Sequence, residues 1–273
     1  MSLITVRRTQ FKANPQQSRH YVQDRSPLMA HLLTALSLTF PAGEQFFVHS
    51  VRNVREKIED EPLQKQISAF IGQEAMHSQA HAEFNRVLAT PDYVLEQFNQ
   101  QMHEGMAVLK TRSVRRQLAA TVAYEHFTAL IAGYLLQHPR LWQGLEPNLQ
   151  QLWLWHAVEE LEHKSVAFDV YQRVFGADKK GSLAQRRRSM RTVSLGFMLG
   201  LSTMTSTLLW QDRQQSLNSW PKIALCVQDA AALAVMAIRL LPAYLAFYQA
   251  DFHPSQVNDQ ALLVAWKEKL ALS

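Results

Sequence analysis

The stretch WHAVEELEHKSVAFDVY (155–171) decides the fold, because its polar residues recur at helical spacing. His156, Glu160 and His163 stand at positions i, i+4 and i+7. At about 100° per residue, their side chains fall within about 60° of each other around a helix axis. The spacing therefore predicts a helix with one face that carries two imidazoles and a carboxylate.

A second segment repeats half of this pattern. FIGQEAMHSQAHAEFN (70–85) contains Glu74 and His77, which form an E-x-x-H pair. Glu160 and His163 form the same motif in the first segment. Residues three apart on a helix point the same way, so a carboxylate and an imidazole at this spacing can reach one metal ion or two neighbouring ions.

Two further segments each place one glutamate among apolar residues. FPAGEQFF (40–47) carries Glu44, and TVAYEHFTALIAG (121–133) carries Glu125. An unpaired carboxylate in such a setting costs several kcal/mol unless it is neutralised or bound to a metal. Two divalent cations would remove this cost for four carboxylates at once. The order glutamate, E-x-x-H, glutamate, E-x-x-H therefore predicts a dimetal site between four long helices.

Composition supports an all-α protein. The chain has 273 residues, 47% of them hydrophobic, and the nine glycines and long proline-free segments favour helices over strands. The net charge of +5 and the pI near 9.4 do not predict nucleic-acid binding, because the arginine clusters lack interleaved aromatic residues. A single cysteine, Cys226, excludes an internal disulfide, and the N-terminus does not resemble a secretory signal, so we expect a cytoplasmic protein.

The predicted organisation is one helical domain with flanking segments. An extended N-terminal arm covers 1–26, the dimetal domain 27–255 and a tail helix 256–273. Within the domain, the core bundle covers 27–176 and additional apolar helices cover 184–250. The predicted helices run over Pro27–Ile58 with a bend or interruption at Pro41, Pro62–Leu88, Pro91–Leu109, Ser113–Gln137, Pro147–Phe175, Ala184–Gln214 and Pro221–Gln249.

Residues 25–255 resemble the ferritin-like di-iron carboxylate superfamily. The three segments at 40–47, 70–85 and 155–171 also resemble the bacterial family labelled predicted metal-dependent hydrolase. The spacing H-x-x-x-E-x-x-H that begins at His156 is similar to that of di-iron arylamine N-oxygenases, in which the additional histidine binds one iron. The resemblance implies a ferritin-like four-helix bundle with additional C-terminal helices. Its expected metal ligands are Glu44, Glu74, His77, Glu125, His156, Glu160 and His163.

Residues next to these ligands have other expected roles. His81 lies one turn after His77, where some di-iron radical enzymes have a tyrosine, and its identity argues against radical storage there. We expect His81 to support the ligands or to lie in the core, with direct ligation as the less favoured alternative. Asp169 or Lys164 could hold ligand imidazoles by the outer hydrogen bonds that metal sites usually need. Glu159 and Glu162 point about 100° away from the ligand face and are expected to be solvated or to support the ligands.

Carboxylates and imidazoles without a thiolate favour two iron ions, with manganese or zinc as alternatives. With iron, the centre would suit an oxidoreductase or oxygenase that activates O₂ for a small hydrophobic or aromatic substrate, with an electron donor that the sequence does not identify. With zinc or manganese, two ions could activate water for hydrolysis. A non-catalytic metal-binding protein is the third hypothesis.

The C-terminal third contains TVSLGFMLGLSTMTSTLLW (192–210), which has no charged residue. Its length just reaches that of a membrane span. Serines, threonines and glycines dilute its hydrophobicity, so packing of this helix on the bundle is favoured over a membrane hairpin. Peripheral membrane contact through 192–250, a lid over a lipid-like substrate and a homodimer remain hypotheses for this apolar surface.

Overall fold

The computed structural model describes residues 4–8, 11–22, 26–91 and 93–272. Its described part is helical and has no strand, which confirms the all-α prediction. The α-helices are α1 Pro27–Arg52, α2 Glu61–Leu88, α3 Leu95–Lys110, α4 Val114–Gln137, α5 Pro147–His163, α6 Val166–Phe175, α7 Lys179–Gln211, α8 Arg213–Ser216, α9 Trp220–Ala246 and α10 Gln260–Lys269.

Local sequence explains where several helices begin. Pro27 and Pro147 open α1 and α5, where a missing backbone N–H costs nothing because that group has no partner within the helix. The Asp60 side chain caps α2 by accepting a hydrogen bond of 2.8 Å from the Leu63 backbone N–H.

Helix α1 runs through Pro41 without a break and ends at Arg52, six residues before the predicted end. Pro41 cannot donate to the carbonyl of Ser37, four residues earlier. The Asn85 side-chain N–H₂ donates to this carbonyl instead, at 3.1 Å. An amide from α2 thus replaces the missing backbone hydrogen bond and keeps α1 continuous.

The predicted helix over 147–175 is two helices. The first ends at His163, Lys164 and Ser165 form a turn, and α6 follows. No proline or glycine marks this break. Lys164 Nζ donates to the Val257 carbonyl at 2.8 Å and contacts Asp259 at 2.7 Å, so its partners lie in the C-terminal segment.

Helices α1, α2, α4 and α5 form the bundle that surrounds the predicted ligands. Helix α3 packs against α1, and α7 packs against α1 and α4. In the described parts of the N-terminal arm, 4–8 and 11–22, the chain is non-helical and has a turn at 15–16; residues 1–3, 9–10 and 23–25 lie outside the described residues.

Among the described residues, two helices are long and apolar enough to cross a membrane, namely α7 and α9. In α9 only 6% of the most apolar window is buried, against 22% in α7. Ile238 is 69% exposed and Trp220 81% exposed. Helix α9 therefore presents apolar side chains to the surroundings of the bundle, although part of it packs against α1 and α4.

Candidate metal centre

Four helices bring the seven predicted ligands together in the interior of the bundle. Helix α1 carries one of them, α2 two, α4 one and α5 three. None of the seven is more than 4% exposed. They are Glu44, Glu74, His77, Glu125, His156, Glu160 and His163.

The ligand atoms lie at short distances from one another. His163 Nε2 is 3.0 Å from Glu74 Oε1 and 3.4 Å from a Glu125 oxygen. His156 Nε2 is 2.9 Å from Glu160 Oε1. Three overlapping groups have all their ligand atoms within 4.8 Å of one another and could each hold an ion: Glu44, His77 and His156; Glu74, His77 and Glu160; Glu74, Glu125 and His163.

The centre carries more negative charge than its surroundings compensate. The oxygens of Glu44 and Glu125 form no hydrogen bond within the described part of the chain. Burial and the neighbouring carboxylates raise the pKa of Glu44 well above its usual value. Burial alone would lower the pKa of His163, but Glu125, Glu160 and Glu74 outweigh it and raise this pKa well above its usual value. Both shifts are the response of a buried carboxylate cluster that favours added positive charge.

A chain of hydrogen bonds fixes the orientation of His156. The Asn85 side-chain oxygen can only accept, so Ser37 Oγ donates to it at 2.7 Å. Ser37 Oγ must then accept from His81 Nδ1 at 2.8 Å, which leaves the neutral His81 with Nε2 as an acceptor. His156 Nδ1 donates to that atom at 2.9 Å. In the neutral imidazole the lone pair of His156 therefore lies on Nε2, which faces the carboxylates.

His77 is oriented from the opposite side. Its Nε2 lies 3.0 Å from Glu159 Oε2, and a carboxylate can only accept, so Nε2 carries the proton. Nδ1 then holds the lone pair, is buried and has no hydrogen-bond partner among the described residues. Arg7 Nη1 donates to the other Glu159 oxygen at 2.9 Å, so a residue of the N-terminal arm supports this contact.

His163 is held in the same way by Gln73. The Gln73 amide donates to the Thr5 carbonyl at 3.0 Å and to Glu162 at 2.7 Å, which leaves its oxygen to accept from His163 Nδ1 at 2.9 Å. The lone pair of neutral His163 is then on Nε2, beside the carboxylates. Arg7 also donates to Glu162, at 2.7 and 2.9 Å.

In the neutral form that binds a metal, all three imidazoles thus direct a lone pair toward the same four carboxylates. Metal-binding histidines usually have their second ring nitrogen held by an outer hydrogen bond of this kind. The donor set, oxygen and imidazole nitrogen without sulfur, fits iron, manganese or zinc. The residues present therefore fit two divalent ions.

The supporting residues differ in part from those predicted. His81 lies behind His156 and contacts its Nδ1. Asp169, on α6, contacts His253 Nε2 at 2.7 Å and does not contact a predicted ligand. Glu159 and Glu162 are not solvated, since their side chains are 0% and 1% exposed. Arg7 was not predicted, because an arginine in a non-helical arm carries no spacing that links it to α5.

A cavity of about 240 Å³ reaches the centre from one side. It lies between α1, α3, α4 and α7, and Glu44 is the one predicted ligand in its wall. Phe40, Phe47 and Met102 give it apolar walls. Gly196 and Gly200 of α7 widen it, since a Cβ added at either position would meet no atom within 4 Å.

Comparison with known proteins gives one match at the level of family. No curated protein and no solved structure matches the sequence. The family model described as predicted metal-dependent hydrolase matches residues 5–258, which include all seven predicted ligands and Arg7. The chain, with His and Glu groups able to bind metal in the centre of its bundle, belongs to this predicted metal-dependent hydrolase family.

Proposed function

We propose that the protein is a dimetal-dependent hydrolase of a small hydrophobic molecule, built on a ferritin-like four-helix arrangement. The observation that carries this proposal is the common direction of three imidazole lone pairs toward four buried carboxylates. One ion would be held by Glu44, His77 and His156, and the other by Glu74, Glu125 and His163. Glu160 lies between these two groups and would serve both.

Two bound divalent ions would activate water and polarise the bond to be cleaved. The protein's own residues would place the substrate. Glu44 is the carboxyl group closest to a molecule in the cavity, because it belongs both to the ligand cluster and to the cavity wall. Phe40 and Phe47 flank it and limit the access of bulk water.

The cavity supports a small apolar substrate class. Its volume of about 240 Å³ lies below the range of drug-sized sites, about 300–1,000 Å³. Gly200→Phe tests this assignment, since Gly200 lies in the cavity wall and a side chain added there enters open space. We expect a large rise in KM or loss of turnover, with metal content unchanged. Gly105→Phe, on α3, tests a second part of the same cavity wall, where a Cβ also meets no atom within 4 Å.

A second candidate is a di-iron oxidoreductase that activates O₂. The carboxylate-rich, thiolate-free ligand set and the apolar cavity favour it, since a dry pocket protects oxidising species from water. A metal-storage protein is less favoured, because storage needs no apolar cavity beside a ligand.

One experiment separates these candidates. The metal-free protein is reconstituted anaerobically with iron(II), manganese(II) or zinc(II), and each form is assayed for hydrolysis of small hydrophobic esters and amides and for O₂ consumption. Hydrolysis that is lost in Glu74→Ala and retained in Glu83→Ala, a partly exposed glutamate on the same helix, supports the hydrolase. O₂ consumption by the iron form alone would instead assign the oxidoreductase. The same number of bound ions in Glu74→Ala as in wild type would refute the site itself.

A further inference from the structure

A second group of ligand-type side chains lies outside the centre described above. It consists of His20 in the N-terminal arm, His31 on α1 and Asp212 between α7 and α8. His31 precedes Glu44 by thirteen residues on the same helix, which corresponds to about 20 Å along the axis. The two clusters are therefore separate.

The donor atoms of this group converge on one carboxylate oxygen. His20 Nε2 and Ser216 Oγ both form short hydrogen bonds with Asp212 Oδ2. His31 Nε2 lies 3.3 Å from the same oxygen, and Ser216 Oγ lies 3.3 Å from both imidazole Nε2 atoms. The ligand atoms of the two histidines and the aspartate all lie within 4.8 Å of one another.

The three distances of 3.3 Å match the needs of a small tetrahedral ion, whereas the two short contacts of Asp212 Oδ2 would have to lengthen when an ion enters. Zinc bonds to nitrogen and oxygen of about 2.0–2.2 Å place neighbouring ligand atoms about 3.3 Å apart. His31 Nε2 lies at this distance from both Asp212 Oδ2 and Ser216 Oγ. The set of two imidazoles and one carboxylate also suits zinc.

Neighbouring groups orient two of these ligands. Tyr93 OH lies 2.6 Å from His31 Nδ1 and so holds the ring nitrogen that faces away from Asp212. Burial lowers the pKa of His31 to about 4, so its imidazole is neutral at pH 7, the form that binds metals. Arg19 lies 3.6 Å from Asp212 Oδ1 and leaves Oδ2 to the two histidines.

We infer that His20 Nε2, His31 Nε2 and Asp212 Oδ2 form a mononuclear site for a divalent cation of the zinc type, with Ser216 Oγ or water as the fourth ligand. The His20 side chain is 35% exposed, so the ion has a route from solvent. The site joins three segments that are distant in sequence: the arm, α1 and the α7–α8 connection. Its function is to fasten the arm to the bundle.

The test uses the full-length protein, with zinc(II) and cobalt(II) as probes. Metal content and affinity are measured with a competing chromophoric chelator, and cobalt coordination by visible absorption. His20→Ala removes a partly exposed ligand, so the fold is not at risk. His103→Ala, an exposed histidine on α3, is the matched control. We expect His20→Ala to bind one ion fewer than wild type and His103→Ala to bind the same number.

Two further variants test the ligand geometry. His20→Cys keeps a metal ligand and should restore the ion, with a thiolate-to-cobalt charge-transfer band in the near ultraviolet. Tyr93→Phe removes the group that holds His31 and should weaken this ion by about 10- to 100-fold. Loss of the same ion in Glu74→Ala would place it in the dimetal centre and overturn the assignment. Equal stoichiometry and affinity in wild type and His20→Ala would show a hydrogen-bonded ion pair only.

Discussion

Ser37→Ala tests the hydrogen-bond chain behind His156 without changing a proposed ligand. Within this series of hydrogen bonds, Ser37 Oγ is the group that fixes which His81 nitrogen carries the proton. The Asn85 amide stays in place, because it is also bound to the Ser37 backbone carbonyl. Without the hydroxyl, His81 can move its proton to Nε2 and donate to His156. His156 Nε2 would then carry a proton in the neutral form and could not bind a metal.

The size of the effect follows from the groups left unpaired. Buried His81 Nδ1 and Asn85 Oδ1 each lose a partner, which costs about 1–3 kcal/mol per group in protein stability. Loss of an outer hydrogen-bond partner weakens metal binding by about 10- to 100-fold, or about 1.4–2.8 kcal/mol. We expect this loss for the one ion that His156 would bind, and little change for the other.

The assay is a titration of metal-free protein with manganese(II) against a competing chelator, together with urea unfolding. Ser50→Ala is the matched control, since Ser50 is also buried on α1 and its hydroxyl bonds Thr121 and the Phe47 carbonyl. Both variants should lose stability. Two ions bound equally tightly by Ser37→Ala and Ser50→Ala would refute the role of the chain in orienting His156.

Three other changes have expected outcomes. Arg7→Ala leaves the buried Glu159 carboxylate without its cation, so the free energy of unfolding in urea should fall by about 3 kcal/mol, and Arg7→Lys should recover part of it. Glu44→Gln should weaken metal binding yet stabilise the metal-free protein at pH 7, because burial and neighbouring carboxylates raise the pKa of the Glu44 carboxyl well above its usual value and a neutral amide removes the cost of its charge. Lower stability of this variant in the presence of a chelator would contradict the prediction. If the apolar surface of α9 contacts membranes, Ile238→Asp should reduce sedimentation of the protein with vesicles of phosphatidylcholine and phosphatidylglycerol. Val108→Asp is the control, since Val108 lies on α3 and is 54% exposed, and it should sediment like wild type. Wild-type protein that stays in the supernatant would exclude this contact.

The convergence of the predicted ligands could be expected from the sequence, because spacing within one helix determines which residues share a face. Glu74 and His77 are three residues apart, and this relation does not depend on the rest of the chain. Their supporting residues were not predictable in the same way. Arg7 and Glu159 are 152 positions apart, and no local pattern connects them.

Helix boundaries also fall into two groups, those that a local residue indicates and those that depend on distant parts of the chain. Proline at the first position correctly predicted where α1 and α5 begin. The break after His163 has no such signal, because the partners of Lys164 lie near residues 257–259. Helix α1 is not interrupted at Pro41, because the donor that replaces the missing N–H comes from α2, which no local pattern indicates.

His77 and His163 are each held by a residue from the helix that carries the other histidine. Gln73 of α2 holds a histidine of α5, and Glu159 of α5 holds a histidine of α2. If α2 or α5 shifted alone, it would break a hydrogen bond to an imidazole of the other helix. Every proposed dimetal ligand also lies on a helix. Ions in this centre should therefore exchange slowly, at a rate set by partial opening of the bundle, with the same denaturant dependence as amide hydrogen exchange around Glu74 and Glu160.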